Sequence, residues 1–120
     1  MNYIDYIKIL LYLLILDFLW IGGIFKNYFS PMIQKVQGSP MEARPLPAII
    51  AYVLLFILGA VFLPKVANIY EAFLLGVCVY GVYDATNYAT IKNWDPTIAV
   101  VDTLWGGILF SAIYWFAVRE

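Results

Sequence analysis

Three aspartates, Asp17, Asp84 and Asp102, stand inside long apolar runs of this chain. A carboxylate in a hydrocarbon-soluble segment is costly, and such a group is by default a site. Asp17 and Asp102 sit in near copies of one signature, LDFLWIGG and VDTLWGG, which set Trp20 and Trp105 three residues after each acid. An indole is a donor with no acceptor, so each acid can take an indole N–H directly or through a neighbouring helix. Asp84 lies in YGVYDATNYAT, where helical spacing puts Tyr80, Asp84, Asn87 and Tyr88 on one face, with Tyr83, Thr86 and Thr90 on an adjoining stripe. Carboxylates sharing a low-dielectric pocket cannot all stay ionised, so they share a proton or hold a cation. The candidate binding set is Asp17, Trp20, Tyr80, Tyr83, Asp84, Thr86, Asn87, Asp102 and Trp105. Asp17, Asp84 and Asp102 are the ligands if that cation is a metal.

Composition says what solvent these acids live in. Of 120 residues, 64% are hydrophobic and only 12% charged, and the mean hydropathy is +0.84. Soluble domains run nearer half apolar and a quarter charged, so the bilayer is the solvent and the expected location is an integral, multi-pass membrane protein. A net charge of −1 without a basic patch argues against nucleic acid as a partner. No histidine occurs, which removes histidine-ligated haem, most zinc sites and Ser-His-Asp hydrolysis. Cys78 is the single cysteine, which excludes an intrachain disulfide and a thiolate cluster, and it reads as a small buried apolar residue in a helix. No cofactor is expected.

Four apolar stretches must position the acids: about 6–25, 46–63, 70–91 and 97–118. At ~1.5 Å per residue each is long enough to cross a ~30 Å hydrocarbon layer, and internal backbone pairing makes them helices. The expected fold is all-α, one domain over 1–120, a four-transmembrane-helix up-down bundle. The first run reads as a retained span, since Asp17 interrupts it and no small-x-small cleavage site follows. Residues 26–45, with Ser30-Pro31, Gly38-Ser39-Pro40 and Arg44-Pro45-Leu46-Pro47, read as the long loop, because proline interrupts a continuous helix. The other joints are tight, which makes sequential helices antiparallel neighbours.

This topology sends the end of the first span, the end of the third and the start of the fourth to one membrane face. Helical rise then puts Asp17 about 13 Å, Asp84 about 10 Å and Asp102 about 8 Å from that face. All three fall in one half of the bilayer. Gly81, Ala85 and Ala89 in the third span, and Gly107 and Ser111 in the fourth, recur at four-residue spacing that allows close helix approach. Lysine and arginine are too evenly spread between the two faces to set an orientation.

The runs YDATNYATIKNW at 83–94, VDTLWG at 101–106 and LDFLWIG at 16–22 resemble a family of small predicted membrane proteins, number 2177 among the domains of unknown function. The resemblance covers nearly the whole chain. Its pattern carries over to Asp17, Trp20, Gly22, Tyr83, Asp84, Thr86, Asn87, Thr90, Trp94, Asp102, Trp105 and Gly106. It implies a four-span membrane protein without implying a reaction.

Two functions fit. The first is proton or cation translocation through the carboxylate cluster of a homo-oligomeric bundle. The second is lipid binding, or an accessory role in membrane lipid modification, with a polar pocket under the headgroups and an acyl chain along apolar walls. Without histidine or a convincing nucleophile, stand-alone catalysis is disfavoured. The expected partners are membrane lipids, protons or a small cation, and further copies of the chain.

Overall fold

The computed structural model describes residues 2–119. Among them no strand occurs, and five α-helices follow one another: α1 (Tyr3–Phe18), α2 (Lys26–Gln37), α3 (Pro45–Phe62), α4 (Ile69–Thr90) and α5 (Pro96–Ile113). Short π-helical stretches, Leu19–Ile24 and Tyr114–Val118, extend α1 and α5, and a 3-10 turn, Leu63–Lys65, closes α3.

The acids outside the apolar runs explain several boundaries. Asn2 and Asp5 exchange side-chain-to-backbone bonds at the start of α1, a capping box. Asn68 accepts from the Glu71 N–H at the start of α4, while Glu71 accepts from the Ala67 N–H at 2.8 Å. Asp95 accepts from Thr97 and Ile98 ahead of Pro96, the first residue of α5. Capping accounts for Asp5, Glu71 and Asp95. It does not account for Asp17, Asp84 or Asp102.

Three helical segments are long and apolar enough to cross a membrane: Tyr3–Ile24, Pro45–Lys65 and Pro96–Val118. The third expected span is also a helix, 22 residues long, and it runs along α5 in the most extensive contact of the molecule. Its tyrosines, Asp84, Asn87 and threonines leave it less apolar than the other three.

The joint between α4 and α5 is built on glycine. A methyl group at Gly76 would meet the Gly106 carbonyl, one at Gly106 would meet the Tyr80 ring, and one at Gly107 would come within 2.6 Å of Phe73. These three glycines and, more loosely, Gly81 against Thr103 carry the close approach. Ala85 and Ala89, expected on that seam, are exposed. Gly81 and Gly107 do lie on the seam, and its tightest point is earlier along α4, at Gly76 against Gly106.

The segment 26–45 is not a plain loop. Lys26–Gln37 is a helix despite Pro31. Proline removes one N–H, but Phe29, Met32, Ile33 and Val36 recur at helical spacing and pack on Trp94, Ala99, Ile91 and Ile98. That buried stripe outweighs one missing hydrogen bond. Gly38, at φ 76°, ends α2 in the left-handed region that glycine adopts freely. The turn before α5 likewise holds Asn93 at φ 70°.

Two apolar clusters result. Ile9, Leu13, Leu63, Ala72, Leu109, Phe110, Ile113 and Ala117 fill the half of the bundle nearer the chain termini. The second cluster fastens α2 over the opposite end. Between them lies a polar layer holding the three acids.

Candidate functional site

Asp17, Asp84 and Asp102 are 2%, 1% and 7% exposed. Two of them are tied by a crossed exchange of donors. Trp105 on α5 donates its indole N–H to Asp17 Oδ1 on α1 at 3.0 Å. Trp20, in the π-helical turn after α1, donates to Asp102 Oδ1 on α5 at 3.2 Å. The two indoles stack 4.8 Å apart at 8°. The repeated acid-x-x-Trp signature is therefore satisfied between helices, not within each one.

The π turn makes this possible. Gly22 and Gly23 lie in it, and the Phe25 N–H reaches back to the Trp20 carbonyl at 2.7 Å. One wider turn shifts Trp20 relative to an ideal α-helix, and π-bulges of this kind are frequent at functional sites. Trp20 also stacks on Phe25, 4.8 Å away, which leads into α2.

Asp17 accepts two further hydrogen bonds. Tyr52 on α3 donates to Oδ2 at 2.6 Å and Tyr80 on α4 donates to Oδ1 at 3.2 Å. Side chains from α3, α4 and α5 thus converge on one carboxylate of α1. Tyr52 was missed in the sequence. Its signal was being the sole side chain with a hydrogen-bonding group among the eighteen residues of α3.

Asp84 differs. Neither of its oxygens has a donor. It faces Asp102, and the nearby Thr103 hydroxyl is engaged with the Ala99 carbonyl at 2.8 Å. Trp94 is 5% exposed with its indole N–H unpartnered. It packs edge-on against Phe29 and Tyr83.

A cavity of about 420 Å³ opens beside this layer, walled by α1, the α2 entry, α3 and α4. Asp17, Asp102, Tyr52, Tyr80 and Tyr83 supply its polar atoms apart from Lys26, and Ile21, Phe25, Ala48, Ala51, Leu55 and Val79 are among its apolar walls. A second recess of about 440 Å³, holding Gln37, Glu42 and Arg44, shares Phe29, Met41 and Tyr83 with it. The cavity exists because α3 is anchored mainly through α1 and the turn that follows it, leaving a gap toward α4.

The structure therefore brings together Asp17, Trp20, Tyr80, Asp102 and Trp105, with Asp84 behind Asp102 and Tyr83 at the rim. Two predicted members stand outside this cluster. Thr86 is exposed and its carbonyl accepts from Thr90, and Asn87 is half-buried beside Tyr83. A helical stripe several turns long curves away from a site of one or two turns, so its outer residues leave the cavity. Asp17, Asp84 and Asp102 are the expected ligands only if a cation is bound, and among the described residues no three acidic or thiol groups are grouped to hold a metal ion. Asp17 is spent on four-helix hydrogen bonding, which leaves Asp84 and Asp102 as a pair.

Apolar helices of spanning length, with carboxylates buried between them, define an all-helical, multi-pass integral membrane protein. A family model matches residues 2–119, and the chain belongs to that family, the predicted membrane proteins DUF2177. No curated protein and no solved structure matches it.

Proposed function

We propose that this protein binds a lipid-like amphiphile between α1, α3 and α4, in a four-span bundle in which α4 also crosses the bilayer. The observation that carries this reading is the cavity itself, whose volume lies in the range of small-molecule sites and whose lining is mostly apolar with a few convergent polar groups. Its continuity with the recess at Arg44 and Gln37 supports entry from the headgroup region. The position of α4, packed along α5 for its length, supports a fourth span, with Asp84 and Tyr80 turned to the bundle. The test is quantitative lipid analysis of the detergent-purified protein beside Ala51→Trp and Val79→Trp, which fill the cavity. Stoichiometric lipid in the wild type and its loss in both variants is expected. Equal lipid content in all three would overturn the proposal.

A second reading, proton exchange, is favoured by Asp84 alone. A buried carboxyl with no donor, set against another carboxyl, is satisfied by one proton held between the two. This pair lies next to the cavity, since Asp102 also lines it. Reconstituted vesicles carrying a pH-sensitive dye test the idea: Asp84→Asn should abolish proton flux seen with the wild type, and unchanged flux refutes it.

A further inference from the structure

We infer that the amphiphile this cavity accepts carries a hydrogen-bond donor, a hydroxyl or an ammonium, and that anionic or acceptor-only headgroups are rejected at its inner end. The inference rests on the amphiphile-binding reading and specifies its ligand.

The argument is an inventory of protons. Tyr52 and Tyr80 each have one hydroxyl proton, and both are given to Asp17. Trp105 gives its single N–H to Asp17, and Trp20 gives its own to Asp102. Every side-chain donor at the inner end is thereby engaged by a carboxylate, and the Tyr83 hydroxyl stands at the rim beside Asn87. What remains facing the space is acceptor capacity: the lone pairs of the Tyr52 and Tyr80 oxygens and, beyond any proton it shares with Asp84, Asp102 Oδ2. Asp102 is more than nine-tenths buried as a residue, and its one open side is the cavity it lines, so whatever fills the cavity meets this acceptor.

A surface that only accepts discriminates sharply. A hydroxyl or ammonium satisfies it. An ether, ester or carboxylate sets lone pair against lone pair and leaves buried acceptors unpaired, which costs far more than a lost apolar contact. The free cation of the cavity, Lys26, stands at the start of α2 and is exposed. It sits about nine residues of helix from Asp17, near 13 Å, and so can serve a headgroup at the mouth without altering the inner end.

The experiment is displacement of radiolabelled 1-dodecanol from the detergent-solubilised protein by dodecylamine, dodecyl methyl ether and dodecanoate at equal mole fraction in the micelle. These share one chain and differ in the head. Dodecylamine and unlabelled dodecanol should displace at least about tenfold better than the ether or the carboxylate, equivalent to ~1.4 kcal/mol. Asp102→Asn, which adds a donor, should narrow that preference while its melting curve shows it folded. Equal displacement by all four compounds would overturn the donor requirement while leaving the amphiphile reading intact. Binding of none of them, together with absence of co-purified lipid, would overturn both. Ala51→Trp, which replaces none of the acids, should abolish displaceable binding of the whole series; retained binding would place the amphiphile elsewhere and overturn the inference.

Discussion

Trp20 and Trp105 lie stacked 4.8 Å apart, and each gives its N–H to the aspartate on the other's helix. The exchange predicts a specific pattern of energetic coupling. Trp105→Phe keeps the stack but removes a donor from Asp17, and Trp20→Phe does the same to Asp102. Hydrogen bonds between membrane helices average ~0.6 kcal/mol, with ~1.7 at the upper end, and Asp17 with three donors belongs at that end. Double-mutant cycles by reversible unfolding in detergent should show Trp105 coupled to Asp17 and Trp20 to Asp102. Stronger coupling within each helix, Trp105 to Asp102, would refute the crossed arrangement.

Trp94 supplies the opposite case. Its indole N–H has no partner although the ring is buried, so Trp94→Phe loses no hydrogen bond and retains an aromatic ring beside Phe29 and Tyr83. The substitution should change stability by less than about 1 kcal/mol, the loss of ring volume being offset by relief of an unsatisfied donor. A cost above that of Trp105→Phe would mean the N–H is satisfied by something else.

The glycine crossing of α4 and α5 separates glycines held by packing from glycines with open space around them. Gly76→Ala and Gly106→Ala place a methyl group against backbone or a ring and should each cost about 1–3 kcal/mol, as overpacking does. Gly22→Ala and Gly23→Ala meet nothing within 4 Å and should be tolerated. The sequence announced that small residues would mediate helix contact, since they recur at four-residue spacing. It could not announce which seam, because Gly76, Gly81 and Gly106 look alike until the rotation of each helix is known.

Much of the polar layer was legible for a firmer reason. Asp17, Asp84 and Asp102 must leave the lipid face whatever the helix rotation, and rise per residue fixes their depth once chain direction is known. Tyr52 was not legible, because a tyrosine in an apolar run looks like any aromatic until a carboxylate is found opposite it. The helix α2 was hidden behind Pro31 and two further proline clusters, although the Phe29, Met32, Ile33, Val36 stripe that holds it down was present. Tertiary burial decided between those two local signals, and burial is not a local property.

Asp84 makes the sharpest stability prediction. Its oxygens accept from nothing and lie against Asp102. Asp84→Asn keeps the shape and adds an amide donor aimed at that neighbour, so it should stabilise the fold by roughly 1–3 kcal/mol, the penalty usually attached to an unsatisfied buried polar group. Asp84→Leu removes the polar atoms but offers Asp102 nothing and should fall below Asp84→Asn. If Asp84→Asn instead destabilises, the site already holds the donor Asp84 lacks, whether a proton or a cation, and proton exchange gains ground as a function.

The direction of α4 can be tested without reference to activity. If α4 crosses the bilayer, the joint between α3 and α4 and the joint between α4 and α5 lie on opposite faces. Ala67 and Asn93 sit in those joints and are both exposed. In a Cys78→Ser background, Ala67→Cys and Asn93→Cys should react with an impermeant maleimide from opposite sides of sealed vesicles. Cys78 is exposed on α4, and as a residue about nine helical positions from the start of that helix, roughly 14 Å along it, it should resist the same reagent until detergent is added. Labelling of both joints from one side would leave three crossings, and the carboxylate layer would then need another explanation than depth within a four-span bundle.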